Sequence, residues 1–194
     1  EHILAKRAKT PELAKKILDL IQDCEERAKM LNIDIRGGQP TPGNIQGGIS
    51  SIEEKSLGCI YKAGLSPISG VLAYGEIPKE KGLYIMDTPG QDVESITGMV
   101  AGGATIIVFT TGRGTPTGSP LAPVIKITAN PETYEKMSDN IDIDASSIIL
   151  GEKTINQVGQ EILEEIVAVA NGKLTKAESL GHREFGIYKI APTF

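Results

Sequence analysis

The side chains with the clearest chemical potential sit at the two ends of one stretch, Met86 to Gly118, MDTPGQDVESITGMVAGGATIIVFTTGRGTPTG. Asp87 closes the apolar run Leu83–Met86, and Arg113 lies in the loop that leaves the apolar run Thr105–Phe109 (TIIVF). Arginine presents a planar fork of donors that matches a carboxylate bidentately. The hydroxyls of Thr110, Thr111, Thr115 and Thr117, with backbone N–H groups at Gly112 and Gly114, add donors beside it. Such a loop suits a carboxylate or a polyhydroxylated acid. The competing reading is a structural arginine paired with Asp92 or Glu94. Asp87 has four readings: a base, a hydroxyl acceptor, a metal ligand, or the acceptor that fixes the turn at Thr88-Pro89.

Further candidates lie upstream. Glu54 and Lys55 open a predicted helix beside the loop that holds Asn44, either as an acid–base pair or as an ordinary solvated helix pair. Glu1 and His2 are adjacent metal-capable side chains, and His182 falls in a polar tail where exposure is expected. Cys24 and Cys59 lack C-x-x-C spacing and are expected to be buried free thiols in a reducing cytosol.

Two nucleotide motifs fail on inspection. Asp87-Thr88-Pro89-Gly90 matches a D-x-x-G element, which needs a phosphate loop ahead of it. Gly43 to Ser50 has that loop's glycine spacing, but Ile49 occupies the lysine position, so the phosphates lose their main charge partner. The glycines at 112, 114 and 118 have the wrong spacing for a dinucleotide fingerprint. Pro116 and Pro120 also prevent the helix that would receive a pyrophosphate.

The elements that must position these groups follow from pattern. Thr10-Pro11-Glu12 starts a helix whose apolar positions recur from Leu13 to Leu31, ending before Gly37-Gly38. Residues 39–50 form a Pro/Gly loop, and Ser51 to Glu54 reads as a capping box for a helix ending at Gly64. Strands are predicted at 68–74, 83–86, 105–109 and 123–128, with helices at 92–100, 131–137 and 154–170. Strands alternating with helices give an α/β fold: a mostly parallel sheet with flanking helices, a Rossmann-like three-layer arrangement without a dinucleotide site. The expected organisation is an N-terminal helix over 1–36, an α/β body over 37–172 and a tail over 173–194.

The 194 residues are 40% hydrophobic, enough for a sizeable core, while aromatics make up only 4%, so base stacking is not expected. A net charge of −5 argues against a nucleic-acid surface. No run approaches a membrane span, and a cytoplasmic location is expected. Seventeen of the 22 glycines fall between Gly37 and Gly118, which directs attention to the middle of the chain.

PTPGNIQGGISSIEEKSLG (Pro40–Gly58), MDTPGQDVESITGMVAGGA (Met86–Ala104), FTTGRGTPTG (Phe109–Gly118) and PVIKITAN (Pro123–Asn130) resemble the altronate dehydratase/galactarate dehydratase family, in the family's order. The DIDAS segment and the Glu1-His2 start fit the same pattern. The resemblance implies the carboxyl-terminal part of a longer hydro-lyase that converts altronate or galactarate to a 2-keto-3-deoxy acid. It implies a divalent metal, usually Fe²⁺ with Mn²⁺ as an alternative, and the rest of the enzyme and a homo-oligomer as partners. It assigns the carboxylate to Arg113, Thr110 and Thr111, proton transfer to Lys55 or Asp87, with Glu54 beside Lys55, and a sugar hydroxyl to Asn44. Two alternatives stay open: a non-catalytic assembly or capping domain, and a dehydratase of another hydroxy acid such as sulfolactate. SPISGVL (Ser66–Leu72) leans toward galactarate and MDTPGQD toward altronate.

Overall fold

The computed structural model describes residues 2–33, 39–46 and 48–186. The chain divides into two compact units between Gly90 and Gln91, inside the expected α/β body.

In the first unit, α1 (His2–Ala5) precedes α2 (Pro11–Met30), whose N-cap Thr10 accepts the N–H of Leu13. This helix ends at Met30, short of the glycine pair at 37–38, because Leu31, whose N–H still reaches the Arg27 carbonyl, leaves helical backbone angles and Asn32 takes a positive φ of 54°. Gly37 and Gly38 lie outside the described residues. The Pro/Gly loop contains a short helix that its lack of apolar periodicity concealed, α3 (Pro42–Gln46), followed by α4 (Ile52–Lys62). Strands β1 (Ile68–Leu72) and β2 (Leu83–Met86) pair in parallel. Ile17 of α2 packs on Ile68 and Val71, with Leu13, Leu20, Leu83 and Ile85 around them. The Arg7 guanidinium donates to the carbonyls of Ala63 and Ser66 and so holds the exit of α4.

The second unit carries α5 (Asp92–Ala101), β3 (Ile107–Thr110), β4 (Val124–Thr128), α6 (Pro131–Lys136), β5 (Ile143–Asp144), α7 (Ser146–Ile149), α8 (Ile155–Ala170) and α9 (Lys176–Ser179). Its three strands are parallel in the order β3-β4-β5. Side chains alternate across a strand, and β4 shows the consequence. Ile125 and Ile127 pack with Val158 and Val169 of α8, while Val124 packs with Ile96 of α5. Helices therefore cover both faces, which is why VIKIT is buried at every position. Thr154 and Gln157 form the capping box that starts α8.

The α/β class, the parallel pairing and the flanking helices agree with the sequence reading; the strands are divided between two sheets. Strand β3 runs 107–110, shifted from 105–109 because pairing begins only where Ile107 meets Val124. Cys24 is half-buried and Cys59 is exposed, which corrects the expectation of buried thiols. Cys59 falls on α4, none of whose described residues is buried.

Candidate functional site: a braced arginine loop and a lysine–amide cluster

The loop after β3 leaves the carboxyl edge of a parallel sheet, the usual place for ligands in open α/β folds. Its entry is fixed by the Thr111 N–H, which donates to the Ile127 carbonyl at 2.9 Å. From Gly112 to Gly118, among the described residues, no backbone group pairs with another backbone group; side chains hold the loop instead. The Gly114 N–H donates to Thr111 Oγ1 at 3.0 Å, closing a turn around Arg113. Thr133 Oγ1 of α6 donates to the Gly112 carbonyl at 2.7 Å. Thr115 and Thr117 are buried with their hydroxyls 2.7 Å apart. The Gly118 N–H donates to Glu184 Oε2 at 2.7 Å.

Gly114 adopts φ +82°, which disfavours a side chain there, and a Cβ would push the Met137 side chain aside. Arg113 is exposed at the tip of this braced turn. Among the described residues it has no hydrogen-bond or ion-pair partner, and neither Asp92 nor Glu94 pairs with it. Thr110 is also exposed, at the end of β3, whereas the Thr111 hydroxyl is used within the turn.

Beneath the loop lies a group that the motif reading passed over. Lys126 of β4 has no solvent exposure. Its Nζ donates to the carbonyls of Pro116 at 3.4 Å and Thr117 at 3.3 Å. Burial pulls its pKa below the ordinary lysine value; the charges of Asp142 and Glu184 oppose that shift and Lys176 adds to it. A single charge inside the apolar run PVIKIT was the available signal.

His182 is half-buried rather than exposed as expected, because its Nδ1 lies 3.0 Å from Glu184 Oε1. Burial alone would raise the Glu184 carboxyl pKa. The N–H of Gly118, the His182 ring and its own backbone N–H overcome that and hold it below the usual carboxylate value.

In the first unit, Lys55 and Asn44 are brought together. Lys55 Nζ donates to Asn44 Oδ1 at 3.0 Å and to Gln39 Oε1. Asn44 Oδ1 also accepts the Thr41 hydroxyl at 2.9 Å and the Thr41 N–H at 3.3 Å. The Asn44 N–H in turn donates to the Thr41 carbonyl. All four residues are half-buried. The sequence pattern does not single out Gln39 and Thr41, since Gln39 meets Lys55 and Thr41 meets Asn44 only in the fold.

Glu54 is oriented differently. Its carboxylate accepts the N–H and hydroxyl of Ser50 at 2.7 and 2.6 Å, and these two bonds lower its pKa. Ser51 still caps α4 through the Glu54 N–H, so the acid reaches one residue beyond the capping box read from sequence. Asp87 is exposed in an open groove along α2, lined also by Leu20, Asp23, Glu26, Arg27 and Met30. Its N–H donates to the Leu72 carbonyl, extending the strand pairing, and its carboxylate has no hydrogen-bond partner among the described residues.

His2 is exposed on α1, and Glu1 lies outside the described residues. Among the described residues, no three His, Cys, Asp or Glu side chains gather as a metal site requires. No described helix is long and apolar enough to cross a membrane.

The family model described as D-galactarate/Altronate dehydratase, C-terminal, matches residues 1–193. The chain belongs to the galactarate/altronate dehydratase family. It is 40% identical to the altronate dehydratase of Bacillus subtilis (strain 168), covering 100% of this chain and 38% of that protein. It is 39% identical to the galactarate dehydratase (L-threo-forming) of Escherichia coli (strain K12), covering 98% of this chain and 37% of that protein. The (2R)-sulfolactate sulfo-lyase subunit beta of Chromohalobacter salexigens is 38% identical, with 98% of this chain and 49% of that protein covered. As a member of the galactarate/altronate dehydratase family, the chain thus spans less than half the length of these relatives. Family membership agrees with the resemblance carried by the Asn44, Asp87 and Arg113 motifs.

Proposed function

We propose that this chain is the carboxyl-terminal part of a sugar-acid hydro-lyase, acting with the remainder of the same enzyme on altronate or galactarate to form a 2-keto-3-deoxy acid. The observation that carries the reading is Arg113: an exposed arginine without a partner among the described residues, at the tip of a loop whose other polar groups are held from within. A guanidinium held ready in this way pre-organises a bidentate carboxylate contact.

The reaction removes the proton at the carbon next to the carboxylate and the hydroxyl at the following carbon. Water leaves, and the resulting enol becomes the 2-keto acid. Cations at the carboxylate stabilise the enediolate that proton removal creates. Arg113 takes that role, with the Thr110 hydroxyl and the loop N–H groups of Gly112 and Gly114 nearby in sequence; Thr111 contributes by closing the turn. Lys55, presenting its N–H groups to two neutral amide oxygens, is suited to donate a proton to the departing hydroxyl. Asn44 keeps its amide NH₂ for a substrate hydroxyl, since its side-chain bonds among the described residues all fall on Oδ1. Asp87 is a carboxylate suited to act as the base, being exposed and without a side-chain hydrogen-bond partner among the described residues. Glu54 is assigned the support of the Ser50 turn beside Lys55. The divalent ion implied by the resemblance has no donor set among the described residues, so no step is routed through it. A cytoplasmic, oligomeric enzyme remains part of the proposal.

The sulfo-lyase relative favours a second substrate class. Sulfolactate is also a 2-hydroxy acid, and an arginine that holds a carboxylate serves either chemistry. Assaying the complete enzyme against altronate, galactarate and sulfolactate decides among them. The Arg113→Ala variant is expected to lose about 10- to 100-fold in kcat/KM, the worth of a charge-assisted contact. Unchanged kcat/KM would remove Arg113 from the site, and no turnover of any of the three acids would leave an assembly or capping role.

A further inference from the structure

We infer that Lys126 is the positioning residue of the Arg113 loop: buried beneath it, its ammonium holds the carbonyls of Pro116 and Thr117 and thereby fixes where Arg113 stands. The inference rests on the reading of Arg113 as the carboxylate contact, and deepens it. Between Gly112 and Gly118 the backbone is held only by side chains among the described residues: Thr111, Thr133, Thr115, Glu184 and Lys126. Pro116 has no N–H, so its carbonyl is the only backbone group by which that residue can be fixed. Lys126 is the donor that reaches it.

A lysine ammonium strongly prefers water, and apolar residues of similar volume commonly replace buried charges without loss of stability. Lys126 is fully buried all the same, beside Val124 and Thr128 on one face of β4. Its hydrogen bonds go to the loop carbonyls rather than to a carboxylate. The nearest acids have other work: Asp142 accepts the N–H groups of Lys126 and Lys176, and Glu184 accepts that of Gly118. The cation therefore orders loop backbone rather than forming an ion pair.

Lys126 is paired in register with Phe109, one residue before the strand end from which the loop departs. A single side chain thus ties the strand next to the loop's origin to the loop's far limb, while Thr133 and the Thr111 turn hold the near limb. Arg113 lies between these two attachments.

The test uses the complete enzyme carrying Lys126→Met, which keeps the volume and removes the donors. Amide hydrogen exchange across residues 112–118, thermal unfolding and steady-state kinetics are read together. The expected result is exchange at Gly114, Thr117 and Gly118 faster by about tenfold or more with β4 unchanged, an unaltered or raised Tm, and a rise in KM larger than the fall in kcat. Unchanged loop exchange would overturn the inference. So would exchange raised equally throughout the second unit with a lowered Tm, the mark of a merely structural lysine. Arg113→Ala measured in parallel separates the two readings: if it leaves kcat/KM unchanged, the carboxylate role fails while loop exchange still decides the positioning role. Should Lys126→Met not fold, Lys126→Gln takes its place with the same readouts. Faster exchange confined to residues 112–118 supports the positioning role, and unchanged loop exchange overturns it.

Discussion

Glu184 accepts the N–H of Gly118 at 2.7 Å across 66 residues of sequence, and so joins the arginine loop to the segment after α9. The folded-state pKa of Glu184 is held below its ordinary value. Its stabilising contribution is therefore present above the unfolded carboxylate pKa and is lost as pH falls through the lower folded value. Thermal unfolding across the acid range, wild type against Glu184→Gln, should show a wild-type advantage near neutrality that vanishes in acid. An advantage independent of pH would show that the charge of Glu184 is not what matters.

Gly118 faces the same segment from the other side. A Cβ there would lie 2.4 Å from the His182 carbonyl oxygen, a backbone atom that cannot swing aside. Gly118→Ala should cost about 1–3 kcal/mol, typical of overpacking a fitted site. Its effect should be concentrated in hydrogen exchange around His182 and Glu184. Gly114→Ala instead meets a disfavoured φ, while the flexible Met137 side chain can give way, and should cost about 1–2 kcal/mol.

The lysine–amide cluster makes a catalytic prediction. Replacing Lys55 by Met in the complete enzyme should lower kcat about 10²- to 10⁴-fold, the usual worth of a positioned acid or base. Substrate KM should move much less. A fall confined to KM would assign Lys55 to binding rather than proton transfer. Asn44→Asp keeps the oxygen that Thr41 and Lys55 require and should fold normally, whereas Asn44→Ala leaves three donors without their acceptor.

These results show what local sequence encodes. Thr10-Pro11 and Ser51 announced their helices because N-caps act within one turn, and TIIVF and PVIKIT announced strands by composition. The five-residue α3 is too short to show a periodic signal, and the two-residue β5 and the division into two sheets depend on long-range pairing. Arg113 was legible because arginine among glycines and threonines is chemically conspicuous. Its bracing by Thr133, Lys126 and Glu184 was not, since those residues come from three other segments and meet the loop only in the fold. Gln39 joins Lys55 in the same way, across 16 residues.

Lys126 gives the prediction with the least intuitive sign. Its folded-state pKa lies below that of an unfolded lysine, mainly through burial. Between those two values the unfolded chain binds the extra proton, so stability attributable to this side chain rises with pH there. Against Lys126→Met as reference, the wild type should gain stability as pH climbs through the region just below the free-lysine pKa. At neutral pH the Met variant should match or exceed wild type, because an apolar side chain avoids desolvating a charge and such replacements are often stabilising by about 1–4 kcal/mol. Denaturant unfolding of both proteins at neutral and alkaline pH measures the difference directly. A gap that stays constant with pH would mean that the Lys126 amine keeps the same proton affinity folded and unfolded, and that burial does not govern it.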